Sequence, residues 1–242
     1  MQKAGTSALA HYLGAHPGLR LPRDKEAHVF DDPGFKEDAT RGEVDARYSA
    51  LFAPAPGVAI HGDATPIYLL HPRLIQRIAR YNPAMRWIVL LRDPVARAIS
   101  QYHMERARGD ETWPFWPAML LERWRLRGHA DDFRTGSPLR HHGYRLRGDY
   151  ARQLDALYAS FPHEQVLLLT NRELREDPTG TVRKACDFLG VAPMDGPLQA
   201  QQVFPGSYPP MPRNGLRMRL LRWLMRRERR DLHERYGIGF ND

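Results

Sequence analysis

The sequence predicts an α/β domain in which a parallel sheet lies between layers of helices. Three observations carry this reading. Short apolar runs suited to strands alternate with amphipathic stretches suited to helices. One run, Trp87-Ile88-Val89-Leu90-Leu91, is continuously apolar, as a central parallel strand buried on both faces should be. A glycine-containing turn, Gln2-Lys3-Ala4-Gly5-Thr6-Ser7, leads straight into a helical pattern, which brings free backbone N–H groups and a positive dipole end together.

In the helix after this turn, Leu9 and Leu13 stand four apart on one face. Leu19-Arg20-Leu21 predicts a short strand and Val58-Ala59-Ile60-His61 a second. Leu74, Ile75, Ile78 and Ala79 make a helical stripe. Asp93-Pro94 is a good helix start, and the pattern runs to about Arg108. Residues 109–147 lack a clear period and read as a long substrate loop with a helical turn or two. A helix face of Leu154, Leu157, Tyr158 and Phe161 precedes a strand at Val166-Leu167-Leu168-Leu169. A helix over Thr179–Leu189 is closed by Gly190. Residues 192–213 read as proline-rich irregular chain, and 214–236 as one basic helix.

The 242 residues fit one domain, and no apolar run approaches a membrane span. The single cysteine, Cys186, excludes internal disulfides, and its helical spacing with Val182, Ala185 and Leu189 reads as packing. Net charge is +8 and uneven: Arg213 to Arg235 holds nine arginines against three acids. That stretch is either a solvated helix face or a contact surface for an anionic substrate or a membrane. Zinc-finger spacing and RNA-binding aromatic signatures are missing, so nucleic acid is not an expected partner. No histidine, cysteine and acid cluster has metal-site spacing, so no metal is expected. Apart from Lys3, Lys25, Lys36 and Lys184, every basic residue is arginine. An arginine-rich, disulfide-free chain fits a bacterial cytoplasm, with an upstream anchor left open.

Three motifs carry chemistry. In the first, Lys3 lies two residues before Gly5, whereas the triphosphate loop places lysine after its second glycine, next to a magnesium-binding hydroxyl. A diphosphate-type ligand held without an obligatory metal fits better, although an ordinary helix start would read the same. Such a loop normally follows a buried strand, and none precedes it here, so the sequence reads as trimmed at its start. The second motif, Leu21 to Phe30, sets Lys25-Glu26 just past a strand end, where open α/β sheets bind ligands. There Glu26 is either a general base or half of a surface ion pair. In the third, Leu91 to Tyr102, Arg92 and Ser100 converge on one anion, or Arg92 forms a structural ion pair. His28, His61, His141 and His142 are either substrate contacts or structural.

Together these motifs resemble the sulfotransferases that use 3′-phosphoadenylyl sulfate, in particular the branch of heparan-sulfate-type and related bacterial enzymes. Gln2 to Leu9 is similar to their 5′-phosphosulfate loop. Lys25 to Phe30 is similar to their Lys-Glu-x-His-Phe-Phe, with Val29 in place of an aromatic, and Arg92 to Tyr102 to their Arg-x-Pro-x-x-Arg-Ala-x-Ser-x-Tyr. Gly62 to Tyr68, Gly148-Asp149-Tyr150, Phe161-Pro162, Asp177-Pro178 and Phe188-Leu189-Gly190 follow in the family's order; Asn171-Arg172-Glu173 departs from its acidic pair.

The resemblance implies a three-layer P-loop-type fold that transfers a sulfuryl group to a hydroxyl or amine of a carbohydrate, lipid or natural-product acceptor, without a metal. It implies that Lys3, Ala4, Gly5, Thr6 and Ser7 cradle the 5′-phosphate and that Lys3 also steadies the leaving oxygen. Glu26 would take the acceptor's proton, and Arg92 and Ser100 would hold the 3′-phosphate. Arg213 would reach the cofactor from a late loop, and Lys25, His28 and Asp63 would meet the acceptor. The basic C-terminal helix offers a membrane-surface contact. Two other readings stand beside it: a P-loop nucleotide kinase or other phosphotransferase, and a non-catalytic nucleotide- or polyanion-binding protein.

Overall fold

The structure is a computed structural model that describes residues 1–53, 57, 60–194, 196, 198 and 215–240. The chain forms two compact units: one gathers Lys3–Leu91 with Ala156–Val203, the other Arg92–Asp155 with Phe204–Asp242.

In the first unit the expected alternation is present. Helix α1 (Thr6–Gly14) leads to strand β1 (Leu19–Arg20), then α2 (Arg41–Leu51), β2 (Ile60–His61), α3 (Pro72–Tyr81) and β3 (Trp87–Leu91). β4 (Val166–Thr170), α9 (Asn171–Glu176) and α10 (Pro178–Leu189) complete it. Val58 and Ala59, read as part of the second strand, lie outside the described residues. All strand pairing is parallel, but the described strands form two pairs rather than one sheet: β1 with β2, and β3 with β4 in the register Trp87 to Val166 through Leu91 to Thr170. So β3, expected to be central, has one strand partner, and Trp87 and Ile88 are only half-buried. A cavity of about 810 Å³ explains this; Met1, Leu19, Ile60, Trp87, Ile88 and Leu90 are among its lining.

The core of this unit is built on aromatic contacts. Phe30 is completely buried, with its ring centroid 5.6–6.0 Å from those of Phe35, Tyr48, Tyr68 and Tyr81. α3 buries Leu74, Ile75 and Ile78 as expected, and also Arg77, whose Nη1 donates to the Phe30 carbonyl at 2.5 Å while Nη2 pairs with Glu37. α10 ends where Gly190 turns left-handed at φ 75°, and Cys186 is fully buried inside it.

The second unit centres on α4 (Pro94–Arg108), capped by Asp93, whose carboxylate accepts the Ala96 N–H. The supposed loop 109–147 is more helical than its composition implies. It contains α5 (Phe115–Leu120), α6 (Glu122–Arg125) and α7 (Pro138–His141). α8 (Tyr150–Tyr158) links the units along the chain and ends before Phe161. The expected single C-terminal helix is two, α11 (Leu216–Leu224) and α12 (Arg226–Tyr236), separated at Met225. Val95, Ala98 and Ile99 of α4 pack with Ala118 and Met119 of α5 and with Met218 and Leu221 of α11. Completely buried Arg97 donates to Gln101 Oε1 at 2.8 Å and to the Tyr144 carbonyl.

Glu122 is buried in this unit and accepts the N–H groups of Arg145 and Leu146 at 2.6 and 2.8 Å. Burial outweighs these bonds and pushes its carboxyl up to about 7. A raised carboxyl favours folding when it is protonated, so its contribution is complete below about pH 4.5 and is lost as pH rises through about 7. Unfolding followed by circular dichroism should show a midpoint that falls over this window. In Glu122→Gln the midpoint should start lower, because a backbone N–H loses its acceptor, and should stay flat across the same pH range.

Candidate active site

The first two motifs meet in the first unit. Gly5 adopts φ 99° at the N-cap of α1, which has no side-chain cap. The backbone N–H groups of Thr6 and Ser7 have no protein acceptor among the described residues. An uncapped start of this kind is suited to an anion. The turn is held from outside: Asn171 Nδ2 donates to the Ala4 carbonyl at 2.9 Å, and a Cβ on Gly5 would lie 2.7 Å from that nitrogen. The backbone angle therefore demands glycine, and an added Cβ would also push aside the Asn171 clasp. Ala4 is fully buried, its N–H donates to the Met1 carbonyl at 3.2 Å and its carbonyl accepts from Asn171, so it shapes the turn, whereas Lys3 is half-buried.

Lys25 ties this loop to the second motif. Its ammonium donates to Ser7 Oγ at 3.2 Å and pairs with Glu26 Oε1 at 2.6 Å. On the other side His28 Nε2 lies 3.3 Å from Glu26 Oε2, and His28 Nδ1 lies 2.9 Å from Asp31, which is wholly buried. Burial works to raise the Glu26 carboxyl, but the hydrogen bonds from His28 and Lys25 prevail and hold it below the usual range. Glu26 is therefore ionised at neutral pH and able to receive a proton.

Asp63 shapes the turn that presents these groups. Its Oδ1 accepts the Ala27 and Thr65 N–H groups, each at 3.1 Å, and the Thr65 hydroxyl at 2.6 Å; its Oδ2 accepts Tyr48 OH at 3.0 Å. Both oxygens face protein donors, so the geometry makes Asp63 an anchor of the turn more than an acceptor contact. The Thr65 hydroxyl in turn accepts the His28 N–H at 3.3 Å, and Tyr68 OH accepts that of Val29 at 2.9 Å. These bonds hold strain. Among the described residues the non-glycine positions with positive φ are Lys3 at 64°, Lys25 at 66° and His28 at 52°, all inside the two motifs. Each such residue costs about 1–3 kcal/mol and persists only where its surroundings over-determine it. Hydrogen bonds to a charged carboxylate, about 1.5–3 kcal/mol each, and burial of Phe30, about 1.5–3 kcal/mol, are large enough to do so.

The remaining candidates lie elsewhere. Arg92, half-buried, follows β3 at the start of the second unit, and Ser100 is buried on α4. Arg213 lies outside the described residues. His61 is exposed, edge-on to Phe52 at 4.8 Å. His141 and His142 staple the 109–147 segment. His141 Nδ1 lies 2.9 Å from Glu105 and 3.6 Å from Asp110, its Nε2 lies 2.7 Å from the Thr135 carbonyl, and His142 Nε2 is 3.0 Å from the Asp110 carbonyl. Glu105, Asp110 and His141 thus form a cluster with ligand-like proximity that their spacing in the sequence conceals.

Sequence reasoning missed Tyr48, Asp31 and the clasp from Asn171. A signal existed for the helices that carry Tyr48 and Asn171. Thr40-x-x-Glu43 and Thr170-x-x-Glu173 are capping boxes, and both are formed in the structure.

The Sulfotransferase domain family matches residues 1–202. The chain is similar to mouse (Mus musculus) heparan sulfate glucosamine 3-O-sulfotransferase 3B1, 30% identical over 191 residues, which make up 79% of this chain and 44% of that protein. It is similar to human (Homo sapiens) heparan sulfate glucosamine 3-O-sulfotransferase 6, 31% identical over 193 residues, 79% of this chain and 50% of that one. The chain spans about half the length of these curated relatives. Among solved structures it is similar to a sulfotransferase from Alicyclobacillus acidocaldarius, 30% identical with a TM-score of 0.76, covering 98% of this chain and 93% of that one.

Asp63→Ala removes an acceptor shared by four donors and leaves the strained turn unsupported. Urea unfolding should register a loss of about 3 kcal/mol or more. Glu26→Ala, which removes a partly exposed pair, should change stability by less than about 1 kcal/mol.

Proposed function

We propose, since the chain belongs to the sulfotransferase family, that it transfers a sulfuryl group from 3′-phosphoadenylyl sulfate to a hydroxyl or amine of an acceptor by in-line displacement. The observation behind this reading is the Ser7–Lys25–Glu26 link, in which one ammonium joins an anion-binding helix start to a carboxylate base. The uncapped α1 start and the glycine-only turn fit the 5′-phosphate end of such a donor, which supplies the activated sulfuryl group when bound.

On this reading the amides of Gly5, Thr6 and Ser7 hold the 5′-phosphate, with Ala4 shaping the turn. Lys3 stabilises negative charge on the bridging oxygen as the S–O bond breaks. Glu26 accepts the proton released by the acceptor as its new bond to sulfur forms. Lys25 and His28 flank Glu26 and orient the acceptor, and Asp63 keeps them in place. Arg92 and Ser100 bind the 3′-phosphate, and Arg213 reaches the cofactor. These cations meet the charge requirement without a metal. The relatives named for heparan sulfate glucosamine favour a sugar hydroxyl as acceptor within the broader carbohydrate, lipid or natural-product range. The basic C-terminal segment is assigned to an anionic surface.

The organisation belongs to the same proposal: residues 1–242 act as one sulfotransferase domain, with 109–147 as its substrate segment.

The first test is calorimetric titration with 3′-phosphoadenosine 5′-phosphate without magnesium, with ATP as control. Micromolar binding is expected, weakened at least about tenfold (about 1.4 kcal/mol) in Arg92→Ala. Glu26→Gln, which frees Lys25 for the loop, should bind the nucleotide at least as tightly as the parent and lose about 10²–10⁴ in turnover. Tighter, magnesium-dependent ATP binding would overturn the reading in favour of a kinase.

A further inference from the structure

Among the described residues the exposed large hydrophobic side chains are Leu120, Leu121, Trp124, Leu216, Leu220 and Trp223. All six belong to the second unit, on or beside helices α5, α6 and α11. α5 and α11 bury their other sides in one core, through Ala118, Met119, Met218 and Leu221.

α11 is apolar on two opposite faces. At 100° per residue, Met218, Leu221 and the following Met225 cluster within one narrow arc, and they are buried. Leu216, Leu220 and Trp223, spaced four and then three, fall on the opposite arc, at 80, 43 and 56% exposure. A surface helix ordinarily places polar residues there. Arginines occupy the flanks instead, Arg219 and Arg222 on one side and Arg217 on the other, and Arg226 at the start of α12 sets its guanidinium 4.4 Å from the Trp223 ring centroid.

Of the acids of α12, Asp231 pairs with Arg227 and Arg230 and Glu234 with Arg230, while Glu228 pairs with Arg145. No acidic partner is found among the described residues for Arg217 or Arg219 on α11. The α6 side repeats the pattern: exposed Trp124, with its ring centroid 6.1 Å from that of Trp113, lies between exposed Arg123 and Arg127.

We propose that the outward face of α11, with the Leu120–Trp124 segment, is a docking surface for an anionic lipid membrane. Leucine and tryptophan enter the headgroup boundary while the flanking arginines meet lipid phosphates and extend their stems along the apolar stripe. A soluble polyanion would complement the arginines but gains nothing from three exposed apolar side chains. A second copy of this chain would cover the stripe but set like charges against each other. The anionic bilayer satisfies both features, and the proposal stands independently of the catalytic reading.

Co-sedimentation of the full chain with vesicles tests it. Binding is expected to phosphatidylcholine vesicles containing phosphatidylglycerol, and to be weaker by about tenfold or more on pure phosphatidylcholine. The double variant Leu220→Ser/Trp223→Ser, and separately Arg217→Gln/Arg219→Gln, should each lower partitioning by about tenfold. All four side chains are exposed, so thermal midpoints should stay at the parent value, which separates loss of docking from loss of folding. The proposal fails if vesicle binding ignores phosphatidylglycerol. It fails if binding survives in Leu220→Ser/Trp223→Ser, which would show contact by charge alone. It fails equally if that variant instead dissolves a concentration-dependent dimer seen by sedimentation.

Discussion

Four donors converge on the carboxylate of Asp63, and the local order of the site follows from that convergence. Tyr48 brings in α2, Thr65 fixes the chain after β2, and the Ala27 N–H holds the turn that carries Lys25, Glu26 and His28. Without this charge the two left-handed residues of the turn would relax toward ordinary backbone angles, and Lys25 would leave Ser7. The aromatic cluster around Phe30 supports the same turn from below, and Arg77 caps the Phe30 carbonyl. A carboxylate whose position rests on buried hydrogen bonds and packed rings is preorganised, which is what the proposed in-line group transfer asks of a base.

Much of this was legible in the sequence. The glycine turn before α1, and α3, α4, β3, β4 and α10, each have local signatures: a positive-φ glycine, an Asp-Pro start, continuous β-branched or leucine runs, a closing glycine. The candidate pair Lys25 and Glu26 was also visible, because Lys-Glu after a strand end is a local pattern. The partners that make the pair work were not. Tyr48, Asp31 and Asn171 act across 15 to 167 residues of sequence separation or from inside a buried turn, and spacing rules carry no such information. The capping boxes at Thr40 and Thr170 were readable and would have placed α2 and α9. The split of the C-terminal segment into α11 and α12 has no breaker residue to announce it.

The division of labour between the two basic residue types gives the site its character. Buried arginines act as braces: Arg77 on the Phe30 carbonyl, Arg97 on that of Tyr144, and Arg147 on those of Leu139 and Arg140. A planar fork with several fixed donors suits carbonyl oxygens in a packed interior. The two lysines of the site have compact charges on flexible stems, and Lys25 shares its charge between Ser7 and Glu26. Under the proposed activity that sharing has a consequence. An anion on the α1 start competes with Glu26 for Lys25, and whatever draws the ammonium toward the loop removes one of the contacts that hold the carboxyl down. The proton affinity of Glu26 then rises as the anion binds, so the base is strengthened when a donor is in place. An arginine at position 25, with its charge spread over a rigid plane, would couple the two motifs less tightly.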